Sequence, residues 1–286
     1  MMAYVTRYVQ GTDKLRPGAF EMKLFNRHLA PGERIEHMGW VHEGEVSGAP
    51  GWQTYRPRFL VLKGTDVMLF DSPPVRGAPP VRGAPRPAAP RDRLPAQVTA
   101  AELAKCPETL KVYQTMFRTV KESETVDWRQ HCFLVQASAA GAGPGAQGPR
   151  YFSAETRQEL LRVEAAWTAN IVNSVLRLGK KTFTVVHGGR AAGLTLDWAS
   201  GFSLSEGTPG AAPAWAYRFS QLRGSSDDGK SKLKLHFQDA ETKVIETKEL
   251  ECQILQSLLF CMHAFLTAKV ASVDPAFLAS IQHANN

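Results

Sequence analysis

The chain has 286 residues, which is enough for about two domains that each bury a core. Its formal net charge of +7 is modest, and four of these charges come from residues 72–98, where five arginines face one aspartate. A dedicated nucleic-acid-binding protein would carry its basic residues on structured elements, so the composition argues against that class.

Residues 1–33 are mixed in character. Tyr4–Val9 and Ala19–Phe25 each favour a short strand, but Gly11, Pro17 and Gly18 separate them. No helix follows that could close a domain. We therefore expect an N-terminal remnant that packs poorly.

Residues 34–179 form the first predicted unit. Its insert at 72–98 repeats the heptapeptide Pro-Pro-Val-Arg-Gly-Ala-Pro and predicts a disordered loop; a proline-rich ligand or a basic contact to acidic lipid are the alternatives. A second low-complexity loop, rich in glycine and alanine, spans 137–149. The predicted strands lie at Met38–Val41, Phe59–Leu62, Val67–Phe70, Leu110–Val120, Cys132–Val135 and Tyr151–Phe152.

A helix over residues 154–178 closes this unit. Apolar residues, with Trp167 among them, recur along it at helical spacing. Ser153 is one candidate for its N-cap, and Thr156 with Glu159 would form a capping box one turn later. Gly179 ends the helix.

Residues 180–278 repeat the same plan, followed by a tail at 279–286. Gly188–Gly189 and Asp227–Gly229 are predicted turns, and an apolar helix from Leu250 to Val270 ends the unit. Gln253, Gln256 and His263 interrupt that helix too early for a membrane span. The predicted strands are Phe183–Val186, Leu194–Trp198, Phe202–Leu204, one continuous strand Trp215–Leu222, Leu233–Phe237 and a run at Val244–Ile245.

The chain is therefore predicted to be mainly β with α (α+β). It contains two consecutive units, each an antiparallel sandwich or barrel closed by a C-terminal amphipathic helix. This is the plan of the pleckstrin-homology (PH) superfold. Gly39–Val41, Arg56–Leu62 and Trp167 resemble the matching parts of a PH domain, whose closing helix carries a buried tryptophan.

Three longer runs resemble the C-terminal region of the gamma-syntrophins, within the syntrophin family. They are Phe219–Lys230, Ile245–Glu251 and Ala268–Pro275. The resemblance covers residues 34–277, and Tyr4–Phe20 is similar, more weakly, to a segment that follows the PDZ domain in that family. The PDZ domain itself is absent, so the chain looks like a C-terminal piece or a shortened isoform.

The resemblance implies a non-enzymatic adaptor that is peripheral to the membrane. Syntrophins bind dystrophin- and dystrobrevin-family proteins through their C-terminal half and link membrane proteins to the actin cytoskeleton. The implied location is the cytoplasm, at the cytoskeleton and the inner face of the plasma membrane (sarcolemma). The candidate partner-binding residues lie on the 225–230 turn and on the face of the last helix: Ser225, Asp227, Asp228, Lys230, Glu249, Gln253, Gln256 and His263. The expected structural aromatic residues are Trp40, Trp167, Trp215, Phe219 and Phe265.

A PH-type module recruited by phosphoinositide or anionic lipid is the alternative function. Arg56 and Arg58 match the basic pair on the second strand of PH domains that bind phosphoinositides. The first-strand position falls near Glu43, which would repel phosphate, and Pro57 removes a backbone donor. The other interpretation of the two arginines is that they are solvated side chains at a strand end.

Enzyme function and cofactor binding are not expected. Gly141–Gly145 superficially resembles a dinucleotide-binding loop, but a strand rather than a helix follows it. The histidines have no metal-ligand spacing, and the four cysteines lack a CxxC motif, which is typical of reduced core thiols.

Overall fold

A computed structural model describes residues 2–6, 19–24, 35–45, 54–74, 97–121, 129–138, 149–207 and 212–273. Most of the proline- and arginine-rich insert (75–96), most of the glycine- and alanine-rich loop (139–148) and the predicted tail (279–286) lie outside the described residues. Most of the predicted N-terminal remnant does so as well.

The first unit is built on a seven-stranded antiparallel sheet. Its strands are β3 (Ile35–Glu45), β4 (Thr54–Lys63), β5 (Asp66–Phe70), β7 (Glu108–Lys111), β8 (Thr115–Thr119), β9 (Cys132–Ala137) and β10 (Pro149–Ser153). They are arranged in the order β7-β5-β4-β3-β10-β9-β8. Strands β7 and β8 lie at the two edges of this sheet, yet they are joined only by a 3-10 turn at Val112–Gln114. The sheet must therefore curl to bring its edges together.

The second unit repeats this topology. Its strands are β11 (Lys180–His187), β12 (Arg190–Asp197), β13 (Gly201–Glu206), β14 (Trp215–Tyr217), β15 (Leu222–Asp227), β16 (Lys232–Gln238) and β17 (Ile245–Glu251). They are arranged in the order β14-β13-β12-β11-β17-β16-β15, and a 3-10 turn at Phe219–Gln221 again joins the two edge strands. Both sheets have the predicted antiparallel character.

One long helix ends each unit, α2 (Arg157–Leu178) in the first and α3 (Leu255–Val273) in the second. The capping box of α2 is confirmed, since the Thr156 hydroxyl accepts from the Glu159 N–H and the Glu159 carboxylate accepts from the Thr156 N–H. Gly179 follows with a φ of 67°, a conformation that a residue with a Cβ rarely adopts.

Four local predictions are wrong. Ser153 is not the N-cap, because it lies in β10. The predicted strand Leu110–Val120 is divided into β7 and β8 by the first 3-10 turn. The aromatic run at 215–222 is not one strand, because the second 3-10 turn divides β14 from β15. The last helix begins at Leu255 rather than Leu250, since β17 continues to Glu251.

The N-terminal residues contribute a smaller sheet. Strands β1 (Met2–Thr6) and β2 (Ala19–Leu24) are antiparallel, and β2 runs parallel to β6 (Gln97–Val98). A four-residue helix, α1 (Ala100–Leu103), follows β6. Val98 and Leu103 pack on the outer face of the first sheet, where Phe59 and Val61 are fully buried.

The main core is one connected cluster that includes residues of both units. Trp167 of α2 stacks on Phe117, with ring centroids 5.0 Å apart, and Phe265 of α3 lies 6.0 Å from Phe219. Helix α3 also packs against α2, β8 and the first 3-10 turn. The two units therefore share a buried contact.

Candidate functional site

Arg56 and Arg58, the candidate lipid-binding pair, lie on β4 and differ in exposure. The Arg56 side chain is 47% exposed, whereas that of Arg58 is 5% exposed. Arg58 alternates in phase with Leu60 and Leu62 and so points to the inner face of the sheet. The interpretation of Arg58 as a solvated strand-end residue is therefore wrong.

Four charged side chains meet around Arg58, and we call the five residues together the charged cluster: Glu43, Arg56, Arg58, Glu108 and Arg150. Glu43 lies on β3 directly opposite Arg56, and its carboxylate accepts hydrogen bonds from Arg56 Nη2 at 3.0 Å and Arg150 Nε at 2.7 Å. Arg58 Nη2 is 3.2 Å from a Glu108 carboxylate oxygen and also donates to the Leu69 carbonyl. Arg150 and Glu108 are paired as well.

Each of the three arginines already contacts a carboxylate, so an anionic ligand would have to compete with Glu43 and Glu108. Glu43 is almost fully buried and is shared by all three guanidinium groups. Burial alone would lower the pKa of Arg150, but its hydrogen bonds and charge attraction to Glu108 and Glu43 raise that pKa above its usual value. Each guanidinium group of the cluster thus has a carboxylate partner without a ligand, although three arginines against two glutamates leave one positive charge in excess.

The 225–230 turn uses its acidic side chains internally. One Asp228 carboxylate oxygen accepts from the N–H groups of Lys230, Ser231 and Lys232, each at 2.9 Å, and Asp227 accepts from Gly229 at 2.8 Å. The hydrogen bond from the Lys230 N–H is the largest cause of the lowered pKa of Asp228. These carboxylates stabilise the turn, while Ser225 and Lys230 stay exposed.

The remaining partner-binding candidates are not on one helix face. Glu249 lies on β17 and pairs with Lys234 of β16 at 2.6 Å, and Gln253 lies in the turn before α3. Only Gln256 and His263 belong to α3. The structure therefore places these four residues on a strand, in a turn and on a helix, whereas the sequence assigned them to one helix face.

One apolar stripe on α3 is not fully buried, although the sequence pattern predicts that the apolar residues of this helix cover the sheet. Leu259, Leu266, Val270 and Val273 are spaced by seven, four and three residues, so they share one helix face with His263. Val270 is 62% and Val273 78% exposed. The spacing is visible in the sequence, but the same residues could equally have been core.

The candidate structural aromatic residues all take part in packing. Trp167 and Phe265 are fully buried, and Phe219 is nearly so. Trp40 meets Phe59 edge to face at 5.5 Å, and Trp215 lies 5.8 Å from Phe237.

Metal-binding chemistry has no support in the part of the chain that the structure describes, where no group of three or more His, Cys, Asp or Glu side chains could hold an ion. Within the same residues, α3 is long and apolar enough by composition to qualify as a membrane span. Half of that stretch is buried inside the fold, as in a core helix.

Comparison with known proteins adds an independent finding. Residues 177–274 match the family described as the syntrophin C-terminal PH domain. The human gamma-2-syntrophin is 33% identical over 98% of this chain and 56% of its own length. The human gamma-1-syntrophin is 34% identical over 91% of this chain and 44% of its own length. The chain thus spans about half the length of these curated relatives.

Among solved structures, the PH domain of the human pleckstrin homology domain-containing protein family A member 5 aligns with 57% of this chain and 88% of its own. Its identity is 11% and its TM-score 0.30, values too low to support an argument about function.

Proposed function

Since this chain belongs to the syntrophin family, we propose that it is a non-enzymatic adaptor that binds dystrophin- and dystrobrevin-family proteins through its second unit. Its place in the cell would be peripheral, at the cytoskeleton and the inner face of the plasma membrane. There it would link membrane proteins to actin. The family relationship supports the general adaptor role, and the named partners are the proposal.

The stripe of α3, in which Val270 and Val273 are exposed and Leu259 and Leu266 are partly buried against the core, is the observation that carries the proposal for partner binding. Leu259, Leu266, Val270 and Val273 follow one another at intervals of seven, four and three residues, the pattern by which one helix packs against another. An amphipathic helix of a partner can place its own apolar side chains between them.

The scarcity of charged residues in α3 agrees with an apolar contact. Lys269 is the one Asp, Glu, Lys or Arg residue in the helix, and its ammonium group lies 3.9 Å from the centre of the Trp198 ring. The charge is therefore held beside the stripe rather than within it. Gln256 and His263 would provide polar contacts at the edge.

The test uses the full chain and a dystrophin-family C-terminal segment in a titration. Val270→Asp should weaken binding by about tenfold or more, because it buries an unpaired carboxylate in the contact. Leu176→Asp is the matched control, since Leu176 is also exposed but lies on α2. It should leave the affinity unchanged.

Two outcomes would count against the proposal in different ways. Failure of the full chain to bind at micromolar concentration removes the partner class. Equal weakening by Val270→Asp and Leu176→Asp leaves the partner but removes α3 as the contact surface.

Phosphoinositide binding by Arg56 and Arg58 is the less favoured alternative. A phosphate would have to compete with Glu43 and Glu108 for the guanidinium groups that they already contact. Flotation with liposomes that contain or lack phosphoinositide decides it. Stronger partition with phosphoinositide, lost in Arg56→Ala, would restore this alternative.

A further inference from the structure

Helix α3 is buried over more of its circumference than a single sheet can cover. Successive residues turn by about 100° around a helix, and a helix on one sheet usually buries a stripe little wider than that. In α3 the buried positions span roughly twice that arc. They are Leu255, Ser257, Leu258, Phe260, Cys261, Met262, Ala264, Phe265, Ala268 and Ala271.

The buried arc has two parts of different composition. The part around Phe265 faces its own unit, where that ring meets Phe219. About a quarter-turn away lie Ser257, Ala264, Ala268 and Ala271, which we call the small-residue face. Their exposed fractions are between 0% and 2%.

Parts of the first unit pack against α3 in addition to its own sheet. Helix α2, strand β8 and the 3-10 turn at Val112–Gln114 all pack against α3. Small side chains let two helices approach closely, which suits a contact between α2 and α3. Tyr113 of the turn packs against the main core cluster, which also contains Cys261 and Ala264 of α3.

We propose that the small-residue face of α3 is the docking surface for the first unit and that the two units fold and move as one body. Without the first unit, a face of three alanines and one serine would be open to water. The contact also fixes the direction in which the stripe of Leu259, Leu266, Val270 and Val273 points relative to the first sheet. The proposal does not depend on the identity of the partner.

Hydrogen exchange of the full chain in increasing denaturant tests this proposal. In the wild type, the slowest-exchanging amides of both units should become exposed in one common transition. Ala268→Arg should split it into two, because an arginine does not fit between α3 and the first unit. Val270→Arg, on the exposed side of the same helix, should behave as the wild type.

A second variant distinguishes loss of the contact between the two units from simple misfolding of α3. Tyr113→Asp changes only the first unit, yet it should lower the protection of amides in the second sheet by about tenfold. Two separate transitions in the wild type would overturn the proposal. So would an effect of Tyr113→Asp that stays within the first unit.

Discussion

The two closing helices occupy the same place in the same strand order, yet their sequences differ. Helix α2 carries charged residues along its outer side, from Arg157 to Arg177, whereas Lys269 is the one Asp, Glu, Lys or Arg residue of α3. The difference follows from their neighbours, because α3 lies between its own sheet and the first unit. The apolar character of α3 therefore reflects its burial against both units, and no membrane is needed to explain it.

The inner faces of the two sheets differ in a complementary way. In the first sheet, Arg58 and Glu43 enter the buried region as part of the charged cluster. In the second, the β12 side chains that point inward are Ala192, Leu194 and Leu196. One unit thus holds ion pairs in part of its interior, whereas the described residues of the other include no buried Asp, Glu, Lys or Arg side chain.

The largest expected effect comes from breaking the charged cluster. Arg58→Ala would leave Glu43 and Glu108 with fewer partners, and removal of one partner of a buried pair typically lowers the free energy of unfolding by about 3–5 kcal/mol. Arg56 and Arg150 still contact Glu43, so we expect a loss near 3 kcal/mol. Chemical denaturation measures it.

Lys234→Ala in the second unit is the control for this comparison. The Lys234–Glu249 pair is at least half exposed on both sides and should contribute less than about 1 kcal/mol. Equal losses in the two variants would show that the cluster in the first unit has no special role.

Acid should destabilise the protein through His37 of β3. Burial, and secondarily the charge of Arg162, lowers the pKa of His37 to about 4. In the unfolded chain it titrates near 6.5, so between these values the unfolded state binds the additional proton and stability falls as the pH is lowered. The expected loss from pH 7 to pH 4 is roughly 1–3 kcal/mol.

The control is His37→Gln, which cannot titrate. It should flatten part of the pH dependence measured by urea unfolding. The pKa of His42 is also lowered by burial, so some dependence will persist. Identical pH profiles for the wild type and His37→Gln would contradict the prediction.

The smallest effect concerns the start of α2. Thr156→Ala removes the hydroxyl that accepts from the Glu159 N–H and should lower the free energy of unfolding by about 1 kcal/mol. Thr168→Ala, in the middle of the same helix, should change it by no more than about 0.5 kcal/mol. The ranking fails if Thr168→Ala is the more damaging of the two.

The repeated plan of strands and closing helix could be predicted because it depends on local patterns. Alternating side chains identify β16, and Gly188–Gly189 and Gly179 stand where the chain needs a positive φ. The wrong start of α3 has a local cause too. Leu250 points inward from β17, and by chance it lies four residues before Ile254, so it extended the apparent helical stripe.

The charged cluster and the unit contact could not be predicted in the same way. Glu43, Glu108 and Arg150 come from three strands that are far apart in sequence, and only the folded sheet brings them to Arg58. The sequence also gives no sign of which neighbour covers Ala264 and Ala268. Both features depend on tertiary contacts, which periodicity does not encode.

The junction at Gly179 has a practical consequence for mapping interactions with truncated polypeptides. Helix α2 passes into β11 through this one residue, whose carbonyl accepts a hydrogen bond from the Trp198 N–H at 2.8 Å. A truncation at residue 177, where the family match begins, would discard nearly all of α2 and strip α3 of its neighbour. If such a shortened polypeptide bound a partner, the binding would take place at newly exposed alanines rather than at the surface that the intact chain presents.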